Sequence, residues 1–443
     1  MTERNVSIRV PILARVEGEG ALHLEIKQGH IKRLQFSIYE PPRFFEKFLE
    51  GRSYTEVPDI VARICGICPV AYQVSAVNAL ESAFEIDPGP WVRDMRRLLY
   101  VGEWIESHAL HIHLLAAPDF FGFDSGIAMA KEYPHEVRRG LQLQGLGNEL
   151  MRLLGARSVH PIGVKVGGFH RAPALADVEK MLHKLEQALP EAEAMVAWVA
   201  NIPIPEAEQE FDYVGLTAPE SPGYYAIENG TLATASGLTL TPEHYDQHFV
   251  ESHAPHSTAL WSHLDGAPYL VGPLARLNVN AAGLQGQDAR LFARYAGRFP
   301  SRNMFNSMLA RALEICFALR ESIRLLQAYQ QPDMADRAGD TKAASVPVIP
   351  KAGVGYGWSE APRGLLWHRY EVDKHGLIQA ARIVPPTSQN QARIEADLHE
   401  SLLQFGLDHS DDELRLHCEK VVRNYDPCIS CATHFLKLTT ERQ

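Results

Sequence analysis

Apolar and polar residues alternate over the first forty positions. Leu22, Leu24 and Ile26 share one face, a turn falls at Gln28-Gly29-His30, and Ile31, Leu34, Phe36 and Ile38 resume the pattern. A period of two marks half-buried strands, so a small N-terminal β-hairpin or sheet is predicted. From Trp91 the spacing lengthens. Met95, Leu98, Leu99, Ile105, His108 and His111 follow helical periodicity, which predicts one long helix over residues 91–117, closed by Pro118. Two further helices are read over residues 177–200, on Val178, Met181, Leu182, Leu185 and Leu189, and 302–330, on Met308, Leu309, Ala312, Ile315, Leu319, Ile323 and Leu326. Ser410 with Glu413 three residues on predicts a capping-box start for a last helix through Arg423, stopping before Asp426-Pro427. Residues 331–364 carry Pro332, Pro347, Pro350, Gly353, Gly355, Gly357, Pro362 and Gly364, and read as a long irregular loop. The expected fold class is mainly α with small β (α+β), a long-helix bundle core with peripheral β-hairpins. One elaborated domain over 1–443 is expected, β-rich over 1–60 and helical over 61–434.

The 443 residues are enough for a large core, and the formal net charge is −11 with no clustering of basic residues. No nucleic-acid partner is expected from that balance. The longest purely apolar run near the middle, the seven residues Ala194–Ala200, falls far short of the ~18 that a membrane span requires. No membrane span is expected. Glu3, Arg4, Arg9 and Arg15 interrupt the N-terminus without a signal-type apolar stretch, so a cytoplasmic location is expected.

The six cysteines change the picture. Four form Cys-x-x-Cys pairs, Cys65/Cys68 and Cys428/Cys431, separated by about 360 residues, while Cys316 and Cys418 stand alone and read as buried apolar side chains. Two intervening residues let a turn aim both sulfurs at one ion, and four thiolates select a soft metal. Zinc ribbons place their pairs only ~15–20 residues apart, because there the metal substitutes for a missing core. A functional metal is therefore the better reading. Pro69 at the first position of a helix, with Arg63 nearby, is expected to favour thiolate at the first pair.

The elements Arg63-Ile64-Cys65-Gly66-Ile67-Cys68 and Asp426-Pro427-Cys428-Ile429-Ser430-Cys431, followed by His434, resemble the paired signatures of the large subunit of nickel-iron hydrogenases. Further segments stand in the order of that family: Arg15-Val16-Glu17-Gly18, Phe45-Glu46, Ser107-His108 with His111, Gly272-Pro273-Leu274-Ala275-Arg276, Arg311 with Glu314, Glu360-Ala361-Pro362-Arg363-Gly364, and Pro386-Thr387 with Asn390. The wording around both pairs is most similar to the NAD(P)-linked branch. The resemblance implies the hydrogenase large-subunit fold and a nickel held by four thiolates. Cys65 and Cys428 would be terminal on nickel, and Cys68 and Cys431 would bridge to an iron carrying carbon monoxide and two cyanides. It implies heterolytic cleavage of H2, with Cys428 as the thiolate base, Glu17 as the proton relay beside it, and Arg363 holding positive charge and a cyanide ligand. Pro362 fixes the approach of that loop, and Asp426 pairs with Arg363 or caps the Cys428 loop. Glu46 and His434, with a backbone carbonyl near Ile383, would hold magnesium or a similar divalent ion. His108, His111 and His113 read as core or hydrogen-bonded histidines.

Electrons cannot leave a lone thiolate centre across ~25 Å of protein, and no cysteines are spare for an iron-sulfur cluster. The resemblance thus implies an iron-sulfur small subunit and flavin- and NAD(P)-binding diaphorase subunits, with a maturation peptidase and nickel chaperones during assembly. Two positions depart from the family pattern. Tyr72 stands where a histidine is usual, and Ser107 where respiratory members have aspartate. The resemblance also implies that residues 435–443, which follow His434, are removed after nickel insertion; mass spectrometry of the nickel-loaded chain with Phe435–Gln443 still attached would refute that. The alternatives are a quinone-site coupling subunit of a complex-I-like assembly, which has lost these cysteines, and a zinc-stapled structural protein.

Overall fold

Proline at the first helical position costs no hydrogen bond and arrives with its φ already set. Pro69 uses this to start the Pro69–Phe84 helix directly after Cys68. The computed structural model describes residues 5–221, 223–332 and 343–433. The Pro69–Phe84 helix lies against the Pro90–Leu110 helix and a three-stranded sheet, while Pro90–Leu110 packs on Pro134–Gly155 and on Ser307–Gln327, which in turn packs on Leu175–Ala200. Their buried faces merge into one large apolar cluster that contains all four paired cysteines. The α+β expectation holds.

The N-terminal strands form as the alternation predicts. Gly20–Lys27 pairs antiparallel with His30–Ile38 across a turn in which Gln28 and Gly29 both have positive φ, and Val6–Val10 adds a third strand. Short helices at Phe45–Leu49 and Val57–Val61 follow within the stretch expected to be β-rich. The predicted last helix spans Asp411–Tyr425 with both halves of its capping box made by Ser410 and Glu413. Pro118 does not end the long helix as expected. Pro90–Leu110 runs into a wider π-helical turn at His111–Ala116, and Pro118 sits in the first turn of the next short helix, Ala117–Phe121, where its missing N–H is tolerated. The helix expected from residue 302 begins at Ser307, because Asn303 caps a preceding 3-10 turn through Phe305 N–H.

The expectation of an irregular loop over 331–364 is corrected. Gly353–Ala361 is a strand, antiparallel to Gly364–Val372, which pairs with Ile378–Val384. Gly355 and Gly357 are required by packing, not by turns. A Cβ at Gly355 would lie 1.9 Å from the Ala79 carbonyl oxygen, and one at Gly357 2.5 Å from Ala79 N. Helix and strand therefore meet backbone to backbone. We expect Gly355→Ala to destabilise the protein by roughly 3 kcal/mol, since rigid main chain cannot yield; an unchanged thermal midpoint would contradict this packing account.

Candidate metal centre

Each cysteine pair sits where a regular element ends. After the tight turn Ala62–Ile64 the chain becomes extended at Cys65, and Cys68 is the residue preceding the Pro69–Phe84 helix. At the other end Asp426 takes a left-handed conformation with φ 56°, and Pro427 prevents the Asp411–Tyr425 helix from continuing. Two loops 363 positions apart thereby meet. Cys65 Sγ is 3.3 Å from Cys428 Sγ, and Cys68 Sγ is 3.8 Å from Cys431 Sγ. The Cys428 and Cys431 sulfurs are 2.8 Å apart, and all four sulfurs lie within 4.8 Å of one another. An ion with bonds of ~2.3 Å to sulfur spans tetrahedral edges of roughly 3.8 Å. The donor set therefore fits one thiophilic metal, and each cysteine is no more than 3% exposed.

The electrostatics point the same way. Burial pushes the Cys428 and Cys431 thiols up. Burial also works against the Cys65 thiolate, yet hydrogen bonds from Cys428, Cys431 and Cys68, with the Arg363 charge, draw it well below the usual thiol range. Four buried thiolates repel one another unless a cation shares their charge.

Arg363 sits at the tip of a two-residue hairpin, because Ala361 and Gly364 are the last paired residues of their strands. Its Nε donates to the Asp426 carbonyl at 2.7 Å, Nη2 to Asp426 Oδ1 at 3.0 Å, and Nη1 to Ser107 Oγ at 3.3 Å. Burial opposes its charge, but the negative charge of Asp426 and of thiolate sulfur nearby outweighs that. Arg276 fixes the hairpin from behind, donating to the carbonyls of Ala361 at 2.7 Å and Pro362 at 3.3 Å. Asp426 thus both pairs with Arg363 and ends the helix before Cys428.

Glu17 bridges the buried sulfur and the surface. Cys428 Sγ donates to Glu17 Oε2 at 3.2 Å, Ser430 N to the same oxygen at 3.1 Å, and Ile429 N to the Glu17 carbonyl at 3.0 Å. Gly18, exposed and with φ 88°, permits this approach, since a Cβ there would lie 2.7 Å from Ile429 Cβ. Glu46 Oε1 accepts from the Ile383 amide at 2.8 Å, so the expected partners Glu46 and Ile383 are adjacent; His434 lies outside the described residues.

Arg63 does not act on the sulfurs as expected. It is exposed and turns back to the Asp59 carbonyl. The helix N–H groups of Val70 and Ala71 are taken by buried Glu103, at 2.6 and 3.2 Å. His108 donates to or accepts from Glu314 at 2.9 Å, His111 meets the Arg423 carbonyl at 2.8 Å, and His113 stacks on Trp198, as core histidines do. Tyr72 is buried beside His368, and its hydroxyl has no hydrogen-bond partner among the described residues. Cys316 and Cys418 are fully buried in helices.

Sequence reasoning missed Arg43. Its Nη2 donates to the Ile64 carbonyl at 2.6 Å and to the Ser430 carbonyl, and its main-chain N donates to Thr433 O at 2.6 Å, tying both cysteine loops together. Thr387 Oγ1 similarly receives the Cys428 amide at 3.0 Å. Arg43 has no local signal, because its partners are backbone groups remote in sequence, whereas Thr387 lies in the Pro386-Thr387 segment already read.

The chain belongs to the nickel-dependent hydrogenase family, whose description it matches over residues 43–138 and 220–434. It is a catalytic large subunit, and a nickel-iron centre is the cofactor its thiol cluster serves. It is 33% identical to the sulfhydrogenase 2 subunit alpha of Pyrococcus furiosus over 437 residues, 97% of this chain and 100% of that one. It is also 25% identical to the NAD-reducing hydrogenase HoxS subunit beta of Cupriavidus necator, over 96% of this chain and 94% of that one. Among solved structures, an NAD+-reducing [NiFe]-hydrogenase in its H2-reduced state superposes with a TM-score of 0.84 at 26% identity, covering 97% and 99% of the two chains. The [NiFeSe]-hydrogenase of Dm. baculatum shares the fold, with a TM-score of 0.79. No described helix is long and apolar enough to cross a membrane.

Proposed function

We propose that this chain is the H2-splitting subunit of a hydrogenase complex that exchanges electrons with NAD or NADP. The convergence of four buried thiols, with Glu17 on one side and Arg363 on the other, carries the reading. Cys65 and Cys428 would be terminal on nickel, Cys68 and Cys431 would bridge to an iron with carbon monoxide and cyanide ligands, and Arg363 would face those ligands. When bound, the centre would supply heterolytic cleavage of H2. Cys428 accepts the proton, and Glu17, 3.2 Å away, takes it toward the exposed Gly18-Glu19 turn. Arg363, itself buried, would stabilise charge developing in this buried site. Glu46 and His434 are the proposed ligands of a magnesium-like ion.

Electrons leave most directly at the Cys65–Cys68 loop, whose Gly66 reaches the surface. Exposed apolar side chains flank it. Phe44 and Phe48 lie on the side tied down by Arg43, and Val159 and Ile162 on the side where His160 Nδ1 bonds the Ala62 carbonyl. An iron-sulfur small subunit is the partner this rim suits, with diaphorase subunits beyond it. Phe48→Asp is expected to release the small subunit in gel filtration while nickel is retained. Incubating the purified complex with H2 and NAD, NADP or methyl viologen tests the acceptor; reduction of viologen with neither nucleotide would remove the NAD(P) assignment.

A further inference from the structure

A carboxylate that no motif marks joins the two chain segments that carry the proton. Asp119, in the short Ala117–Phe121 helix after the π-helical turn, is 5% exposed at its side chain. Arg423 forks onto it, Nε to Oδ2 at 2.7 Å and Nη2 to Oδ1 at 2.8 Å. Arg15 Nη2 donates to the same Oδ1 at 2.5 Å. Arg15 stands two residues before Glu17 and adopts a left-handed conformation with φ 62°, which for a side-chain-bearing residue must be held by its surroundings. Its hold consists of Asp119 and the Leu115 carbonyl, the latter at 2.7 Å. Arg423 stands five residues before Cys428, in the last turn of the Asp411–Tyr425 helix, and its Nη1 also reaches the Ala14 carbonyl at 3.3 Å. Glu419 takes Nη1 of Arg423 at 3.0 Å.

We infer that Asp119 is a positioning residue for proton transfer, setting Glu17 Oε2 against Cys428 Sγ by anchoring the arm that precedes each of them; this rests on the reading of Glu17 as the relay. One buried carboxylate serves two guanidinium groups, so neither arm can shift without disturbing the other. Only an ionised carboxylate can do this. Asparagine would turn an amide N–H toward an arginine donor and leave that donor unsatisfied. Among the described residues Asp119 touches none of the four cysteines, and the Cys428 amide is held separately by Thr387, so the displacement is expected to fall on Glu17 rather than on the thiol cluster. Loss of proton-transfer geometry without loss of metal is the signature.

Two readouts on the holoenzyme separate these effects. Interconversion of para- and ortho-hydrogen reports splitting and recombination at the centre, whereas H/D exchange with solvent also needs the proton to leave. Asp119→Asn is expected to lower exchange about tenfold, as sub-ångström to ångström misplacement of a proton acceptor does, while para/ortho conversion and nickel content stay within about twofold. Arg15→Gln, which leaves the Arg423 fork intact, should do the same if the first variant folds poorly. Adding Asp119→Asn to Glu17→Gln should cost nothing more. Exchange that survives in Asp119→Asn and Arg15→Gln but is lost in Glu17→Gln would overturn the role of Asp119 alone. Equal loss of both readouts, or of nickel, would reduce Asp119 to a structural residue. Full exchange in Glu17→Gln would sink the relay reading itself, and the inference with it.

Discussion

Cys428→Ser is expected to emerge from maturation without nickel and with H2 turnover lowered by more than ~100-fold, well beyond the loss from disturbing a group that merely orients a ligand. Serine keeps the size of the side chain but offers a hard, neutral hydroxyl that does not ionise at neutral pH, where a soft thiolate is required. The position is also held by several partners. Its sulfur lies within 3.3 Å of Cys65, Cys431 and Glu17, and its amide is held by Thr387. Cys316→Ser is the control. That thiol is equally buried but lies in the Ser307–Gln327 helix, outside the cluster of four, so nickel should be retained. Metal analysis of both variants, purified in parallel, checks this; a nickel-replete Cys428→Ser enzyme would remove the cysteine from the ligand set.

Arg363→Lys should keep nickel and lose about a hundredfold in kcat, the order of magnitude seen when one preorganised donor is removed from a site that stabilises developing charge. Lysine preserves the charge, so a purely electrostatic role would survive. The fork would not. Arg363 spends Nε and Nη2 on the carbonyl and carboxylate of Asp426 and Nη1 on Ser107, and an ammonium on a flexible stem cannot make those three contacts at once. The buried Asp426 carboxylate would then be left partly unpaired, and its carboxyl, already pushed up by burial, would rise further. Steady-state kinetics with methyl viologen decide the matter: wild-type kcat in Arg363→Lys would contradict a fork-dependent role.

Legibility in the sequence followed the range of the forces involved. Where structure is local the pattern predicts it: the Gln28-Gly29 hairpin, the Ser410–Glu413 capping box and the long apolar helices all form. The cysteines too were readable, because spacing within each pair is local chemistry and the two pairs only needed a common ion to explain them. Errors arose where a residue type serves long-range packing. Gly353, Gly355 and Gly357 read as loop glycines, yet all three are strand residues, and Gly355 and Gly357 lack side chains so that the Pro69–Phe84 helix can lie on them. Pro118 reads as a terminator, yet a π-helical turn carries the chain past it. Arg63 was near in sequence and far in function, while Arg43, Glu103 and Asp119 had no motif at all, since their partners are carbonyls, amides and guanidinium groups brought in by the fold.

The central claim is that sulfur from both ends of the chain binds one nickel beside an iron. X-ray absorption at the nickel edge of the purified complex, with metal content determined on the same sample, addresses it most directly. The account predicts one nickel per large subunit, iron in excess of nickel because the small subunit carries iron-sulfur clusters, and a nickel shell made chiefly of sulfur at about 2.3 Å. Zinc in place of nickel, or nickel ligated by nitrogen and oxygen, would contradict it.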